Sequence, residues 1–258
     1  MFSFFRNKKQ VADTAQQNII QDYRDVTPVA EFFKNETGVT FDKQVSILQN
    51  KVTTFCKHRE IDSFTELLKK MEHERELKQE LIDYLTTNET FFYREFKQIE
   101  ELVKLVKDAD REVAVLCAPS ATGEEPYGIT IALLEAGVAP NKFHITGIDI
   151  NLDATSRAKK ALYRERNVRN LSEGVIERYF TKSDLLYALR ESVKSQVTFR
   201  VINLFDPSFK NIGKFDFIFS RNMLIYFDKE TKLRAKEILE SIRKNPNQEI
   251  FFGHADLF

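Results

Sequence analysis

The chain has 258 residues, with 39 Lys plus Arg against 39 Asp plus Glu, a formal net charge of zero. Hydrophobic residues at 42% and charged residues at 30% suit a packed core under a solvated surface and exclude a wholly disordered chain. Even charge argues against non-specific nucleic-acid binding, and two distant cysteines, Cys56 and Cys117, form neither a disulfide framework nor a metal-ligand spacing.

The opening MFSFFRNKKQ turns basic too early for a signal peptide, and no apolar run approaches the roughly 20 residues that span a bilayer. The expectation is a cytoplasmic protein, not membrane-embedded, acting as a monomer without nucleic acid or metal. Residues 1–28 are polar, end at Pro28 and read as a loosely held leader with room for one helix. Over 29–85, apolar residues recur at helical spacing (Val45, Leu48, Val52 and Phe55, then Phe64, Leu67, Leu68 and Met71), which predicts a small all-helical domain. Residues 86–258 change character. Phe96, Ile99, Val103 and Val106 mark a further helix, and VAVLCAP (113–119) reads as a buried strand. A helix over 128–136, a strand at HITGIDI (144–150) and a helix over 153–163 follow. VTFRVINLF (197–205) and FDFIFSRN (215–222) read as strands, 229–244 as a helix and EIFFGH (249–254) as a last strand. This alternation predicts an α/β fold, a doubly wound and mostly parallel sheet with helices on both faces. DLLYALR followed by QVTFRV suggests a short antiparallel insertion at about 183–200.

Four stretches carry chemistry. PSATGEEPYG (119–128) joins the first strand to the next helix, where a doubly wound fold brings backbone closest to its ligand. Ser120, Ala121 and Gly123 are small enough for close approach, while Glu124 and Glu125 stand where a phosphate would otherwise meet the helix N-terminus. Two carboxylates repel a pyrophosphate but suit a cationic ligand. That favours S-adenosylmethionine, which carries a sulfonium, an ammonium and no phosphate, over NAD or FAD; alternatively both acids only complement the helix dipole. Asp149 ends the second strand, where an acid roughly 20 residues after the glycine turn typically accepts ribose hydroxyls; alternatively it is an ordinary strand-end aspartate. TTNETFFYR (86–94) lies at the domain junction and offers Asn88, Thr90 and Arg94 to a pocket there; alternatively it is an amphipathic linker helix with Arg94 solvated. NLFDP (203–207) and FSRNMLIYFD (219–228) follow apolar strands, so their polar residues emerge at the carboxyl edge of the sheet; Tyr226 is either part of that edge or a core-edge tyrosine.

TTNETFFYR, PSATGEEPYG, GIDI, NLFDP, SRNMLIYFD and FFGHADL occur in the order and approximate spacing of the chemotaxis receptor methyltransferase (CheR-type) family, which the chain resembles over about 30–258. The resemblance implies an N-terminal helical domain and a class I methyltransferase-like α/β domain that binds S-adenosylmethionine and contains a small antiparallel subdomain. It implies a protein-glutamate O-methyltransferase whose partner is the cytoplasmic domain of chemotaxis receptors. Carried over by position, it places Asn88, Thr90, Arg94, Glu125 and Asp149 on the cofactor, with Arg94 also near the reacting centre. Asn203 and Leu204 would flank the adenine, Ser220 and Arg221 would close the pocket, and Tyr226 would lie beside the transferred methyl. Two positions depart from the family pattern: Ser120-Ala121-Thr122 stands where Ser-Thr is more usual, and Gly128 replaces a usual serine.

A glutamate carboxylate, with a reference pKa near 4.3, is already an anionic nucleophile at neutral pH. Alignment is therefore the enzyme's main task, with Arg94 holding the acceptor carboxylate and Tyr226 the methyl. Two other classes compete: a non-catalytic signalling module that binds the nucleoside product, and a methyltransferase acting on RNA, DNA or a small molecule. No N/D-P-P-Y/F motif of base methylation is present. Eight Lys/Arg against three Glu between Arg157 and Lys182 form a local positive excess, with Asn170 and Glu173 spaced as a capping box.

Overall fold

The computed structural model describes residues 21–256. Helices α1 (Thr27–Thr37), α2 (Val45–His58), α3 (Phe64–Met71) and α4 (Arg75–Leu85) each turn one apolar stripe inward. Val29, Phe33, Leu48, Val52, Phe55, Leu67 and Leu81 meet there as a separate core. Val26 is buried with them, so the last residues of the expected leader belong to this unit; 1–20 lie outside the described residues.

Helix α5 (Phe96–Lys107) leads into β1 (Val113–Cys117), α6 (Glu124–Glu135), β2 (Phe143–Asp149) and α7 (Leu152–Lys160). An insertion follows: β3 (Leu162–Arg164), α8 (Glu165–Val168), α9 (Glu173–Tyr179), β4 (Phe180–Ser183), β5 (Leu186–Leu189) and α10 (Glu191–Lys194). Strand β6 (Val197–Val201), β7 (Phe217–Ser220), α11 (Lys229–Ser241) and β8 (Phe251–Phe252) complete the order. The main sheet runs β6-β2-β1-β7-β8 with every pairing parallel. Alternate residues of β1 explain the two layers of helix. Val113, Val115 and Cys117 face α5 and α6 through Ile99, Leu102 and Ile129, while Leu116 faces α11 through Leu239.

Two local expectations are corrected. The antiparallel sheet expected at about 183–200 runs instead through β3-β5-β4, between Leu162 and Leu189, and Val197–Val201 pairs in parallel with β2 as the edge of the main sheet. Strand polarity is a property of the partner, which local composition does not reveal. Glu173 opens α9, but its N-cap is Ser172, whose hydroxyl accepts from Val175 N at 3.3 Å; Asn170 does not cap it. Among the described residues no helix is long and apolar enough to cross a membrane.

Candidate active site

From β1 the chain moves outward to β2 and β6, then returns across β1 to β7 and β8. Strand order therefore reverses beside β1, and loops leaving neighbouring carboxyl ends must splay apart there. A cavity of about 480 Å³ fills that crevice, with the helical unit forming one of its walls. Its walls carry Asn88, Thr90, Arg94, Glu125, Asp149, Asn203, Leu204, Arg221 and Tyr226. Ser220 is not among them: it is buried at the end of β7, its hydroxyl without a partner among the described residues.

The turn after β1 is tied down by its neighbours. Ser120 N donates to Ile148 O at 2.7 Å, and Ala121 N donates to Asp149 Oδ2 at 2.8 Å. Gly123 adopts φ 94°, and a Cβ there would lie 3.0 Å from Ala158 Cβ and 3.1 Å from the Tyr163 hydroxyl. Only glycine meets both conditions. Asp149 also accepts from Asn151 N at 2.9 Å. Burial pushes its carboxyl up to about 6 against these backbone bonds, while each oxygen keeps a lone pair for a hydroxyl donor on the cavity side.

The two glutamates of this turn separate. Glu124 is fully buried away from the cavity, accepting from Thr122 Oγ1 at 2.6 Å and Asn167 Nδ2 at 2.7 Å. Burial raises its carboxyl to about 7. It joins the turn to the insertion and offers a ligand no charge, so only Glu125 supports the sign-of-charge argument. Glu125 lines the cavity; one oxygen pairs with Arg221 Nε, and Oε1 is buried with no nitrogen or oxygen donor among the described residues.

Arg221 is also a clamp. Its side chain is 3% exposed, and Nη1 donates to Arg94 O at 2.8 Å and Glu95 O at 3.3 Å. These carbonyls belong to a turn in which Tyr93 and Glu95 hold left-handed φ values of 59° and 51°, a conformation that needs outside support. Phe92 anchors the same turn, packing edge-on against Tyr163 and Phe180, while Phe91 faces the cavity with the Arg169 guanidinium 3.8 Å from its ring centre. The Arg94 guanidinium donates to Glu89 O at 3.2 Å and makes no ion pair among the described residues. Asn203 is occupied structurally: Nδ2 donates to Glu36 O at 2.6 Å and Oδ1 accepts from Phe205 N at 2.9 Å. Its amide pins the helical unit over the loop after β6.

The cavity's upper wall is not legible in the sequence. Val39, Thr40 and Phe41 from the α1–α2 connection and Ile47 and Lys51 from α2 all line it. Thr40 N donates to Tyr226 O at 2.9 Å. No local pattern announces such residues, because they act across a domain junction.

A profile of the CheR methyltransferase SAM-binding domain matches residues 88–258. The chain is 37% identical over 231 residues to the chemotaxis protein methyltransferase of Campylobacter jejuni subsp. jejuni serotype O:23/36 (strain 81-176), covering 88% of this chain and 87% of that one. It is 36% identical over 185 residues to the probable biofilm formation methyltransferase WspC of Pseudomonas putida, covering 69% and 43%. Identity to the chemotaxis protein methyltransferase of Salmonella typhimurium is 30% over 238 residues, covering 89% and 82%.

Proposed function

We propose, for a chain that belongs to the CheR methyltransferase family and is thereby an S-adenosylmethionine-dependent methyltransferase, that its acceptor is a glutamate carboxylate on the cytoplasmic domain of a chemotaxis receptor. One observation supports the reading above the rest. Arg94 and Tyr226, far apart in sequence, meet on one cavity that also presents Asp149 and the unsatisfied oxygen of Glu125. These groups fit the cofactor: Asp149 suits ribose hydroxyls, Glu125 a cationic group, and the apolar Leu204 and Ile202 a flat base.

When bound, S-adenosylmethionine supplies an electrophilic methyl on a sulfonium. The residues then orient the acceptor and exclude water. Arg94 has donors to spare for an incoming carboxylate, and a bidentate pair fixes the plane from which an oxygen attacks. Charge is neutralised as the ester forms, so the benefit of Arg94 is orientation more than attraction. Tyr226, 37% exposed, stands at the mouth with its phenol available to position the methyl.

The decisive assay supplies methyl-labelled cofactor with a purified receptor cytoplasmic fragment or with bulk RNA. Label on the fragment that alkali releases as methanol is expected, because esters hydrolyse and methylamines do not. Label on RNA, or none on the fragment, would overturn the reading. Tyr226→Phe should lower kcat about tenfold, the equivalent of roughly 1.4 kcal/mol of barrier, with cofactor affinity unchanged. Full kcat would return Tyr226 to a core-edge role.

The basic run offers a further check. Lys159, Lys160 and Arg166 are exposed on α7 and α8, whereas Arg178 is engaged with Glu135. Exposed charges individually contribute about 0–1 kcal/mol, so they matter only together. Reversing all three to glutamate should cut kcat/KM on receptor fragments about tenfold at low salt, the lower end of electrostatic steering, and much less at high salt. Wild-type rates at both salts would leave these residues as an ordinary solvated face.

A further inference from the structure

The segment FFGHAD after α11 takes no part in the chemistry above, yet its last side chain is a buried carboxylate. Asp256 is 3% exposed. Its Oδ2 accepts from Asn222 N and from Gly253 N, the latter at 3.2 Å, and Oδ1 accepts from Ile225 N at 3.2 Å. No cation pairs with it among the described residues, and burial raises its carboxyl against these backbone bonds. An anion held by amides alone is a costly way to fill space. Its bonds converge on the short stretch after β7, where Asn222 holds φ 59° and Ile225 and Tyr226 reach the cavity wall.

Gly253 makes the arrangement possible. A Cβ there would lie 2.9 Å from both Asn222 N and Asp256 Oδ2, so any larger residue must push the two apart. The same terminal turn also reaches the other side of the site. Gln98 Nε2 donates to Phe252 O at 2.7 Å, and His254 N donates to Glu95 Oε2 at 3.3 Å. Residues 252–256 thus touch both the Tyr226 segment and the start of α5, directly behind Arg94.

We propose that Asp256, seated by Gly253, is a positioning residue that sets the Asn222–Tyr226 segment and through it holds Tyr226 at the cavity. This rests on the role given to Tyr226 above. Neither Asp256 nor Gly253 lines the cavity, so neither touches cofactor or acceptor.

Asp256→Asn replaces one acceptor oxygen with an N–H₂ that must face a backbone donor, which releases Asn222 or Ile225. The expected result is a kcat on a receptor cytoplasmic fragment lowered about tenfold, with the Kd for S-adenosylmethionine unchanged. Gly253→Ala should reproduce that split. In a Tyr226→Phe background, Asp256→Asn should lower kcat little further, because the group it positions is gone. Amide exchange at Asn222 and Ile225 should also accelerate in Asp256→Asn. Multiplicative loss in the double variant, or unchanged exchange at both amides, would overturn the proposal. Should Tyr226→Phe itself keep full kcat, the role of Tyr226 falls, while the exchange measurement still decides whether Asp256 orders the segment.

Discussion

Arg221→Ala should destabilise the fold by about 3–5 kcal/mol, the range for breaking a buried ion pair by removing one partner. The substitution leaves Glu125 with neither carboxylate oxygen paired, and it strips the donor from the carbonyls of Arg94 and Glu95. Both carbonyls sit in a turn whose left-handed residues gain nothing from their own conformation. Loss of the clamp should therefore loosen Arg94 as well as lower the denaturation midpoint. Adding Glu125→Gln should recover part of the stability, because a neutral amide tolerates burial better than an unpaired carboxylate. It should not recover activity, since Arg94 stays unsupported. Denaturant titration of the single and double variants measures this. A stability change below about 1 kcal/mol, the size of an exposed pair, would show that Arg221 serves the ligand and not the fold.

Asp149→Ala should weaken S-adenosylmethionine binding by about 1.5–3 kcal/mol, the range for hydrogen bonds to a charged group. Part of that loss arises in the protein, because Ala121 N and Asn151 N both lose their acceptor and the turn after β1 keeps only the Ser120 N to Ile148 O bond of its two ties to β2. Asp149→Asn keeps the volume and one acceptor oxygen, so its loss should be smaller. Titration calorimetry separates the two. The wild type carries its own control in pH. The Asp149 carboxyl sits at about 6, raised by burial, and ribose hydroxyls would favour its charged form. Cofactor affinity should therefore fall as pH drops below about 6, and the Asp149→Ala variant should lack that fall. For stability the sign is opposite. A carboxyl whose folded value lies above its unfolded one costs stability at neutral pH, and the cost fades as pH falls through 6 towards 4. An affinity independent of pH and of Asp149 would remove it from the ribose.

Local signals were enough for the α/β frame and for most of the cavity wall. Alternating apolar strands and amphipathic helices with short connections leave few topologies, and in each the loops after β1, β2, β6 and β7 share one edge. That is why Asp149, Glu125, Arg221 and Tyr226 could be placed from the sequence, and Arg94 from its domain junction. Which atoms face the ligand was a tertiary decision. Glu124 and Glu125 are adjacent acids, yet one turns under Thr122 and Asn167 and the other towards the cavity, because 100° of helical rotation separates them. Asn203 and Arg221 look like free polar groups in the sequence, but partners more than a hundred residues away engage them. The wall from α1 and α2, the edge position of β6 and the seat of Asp256 likewise depend on distant contacts. A periodicity read over a few residues records which face of an element is buried, and not what comes to cover it.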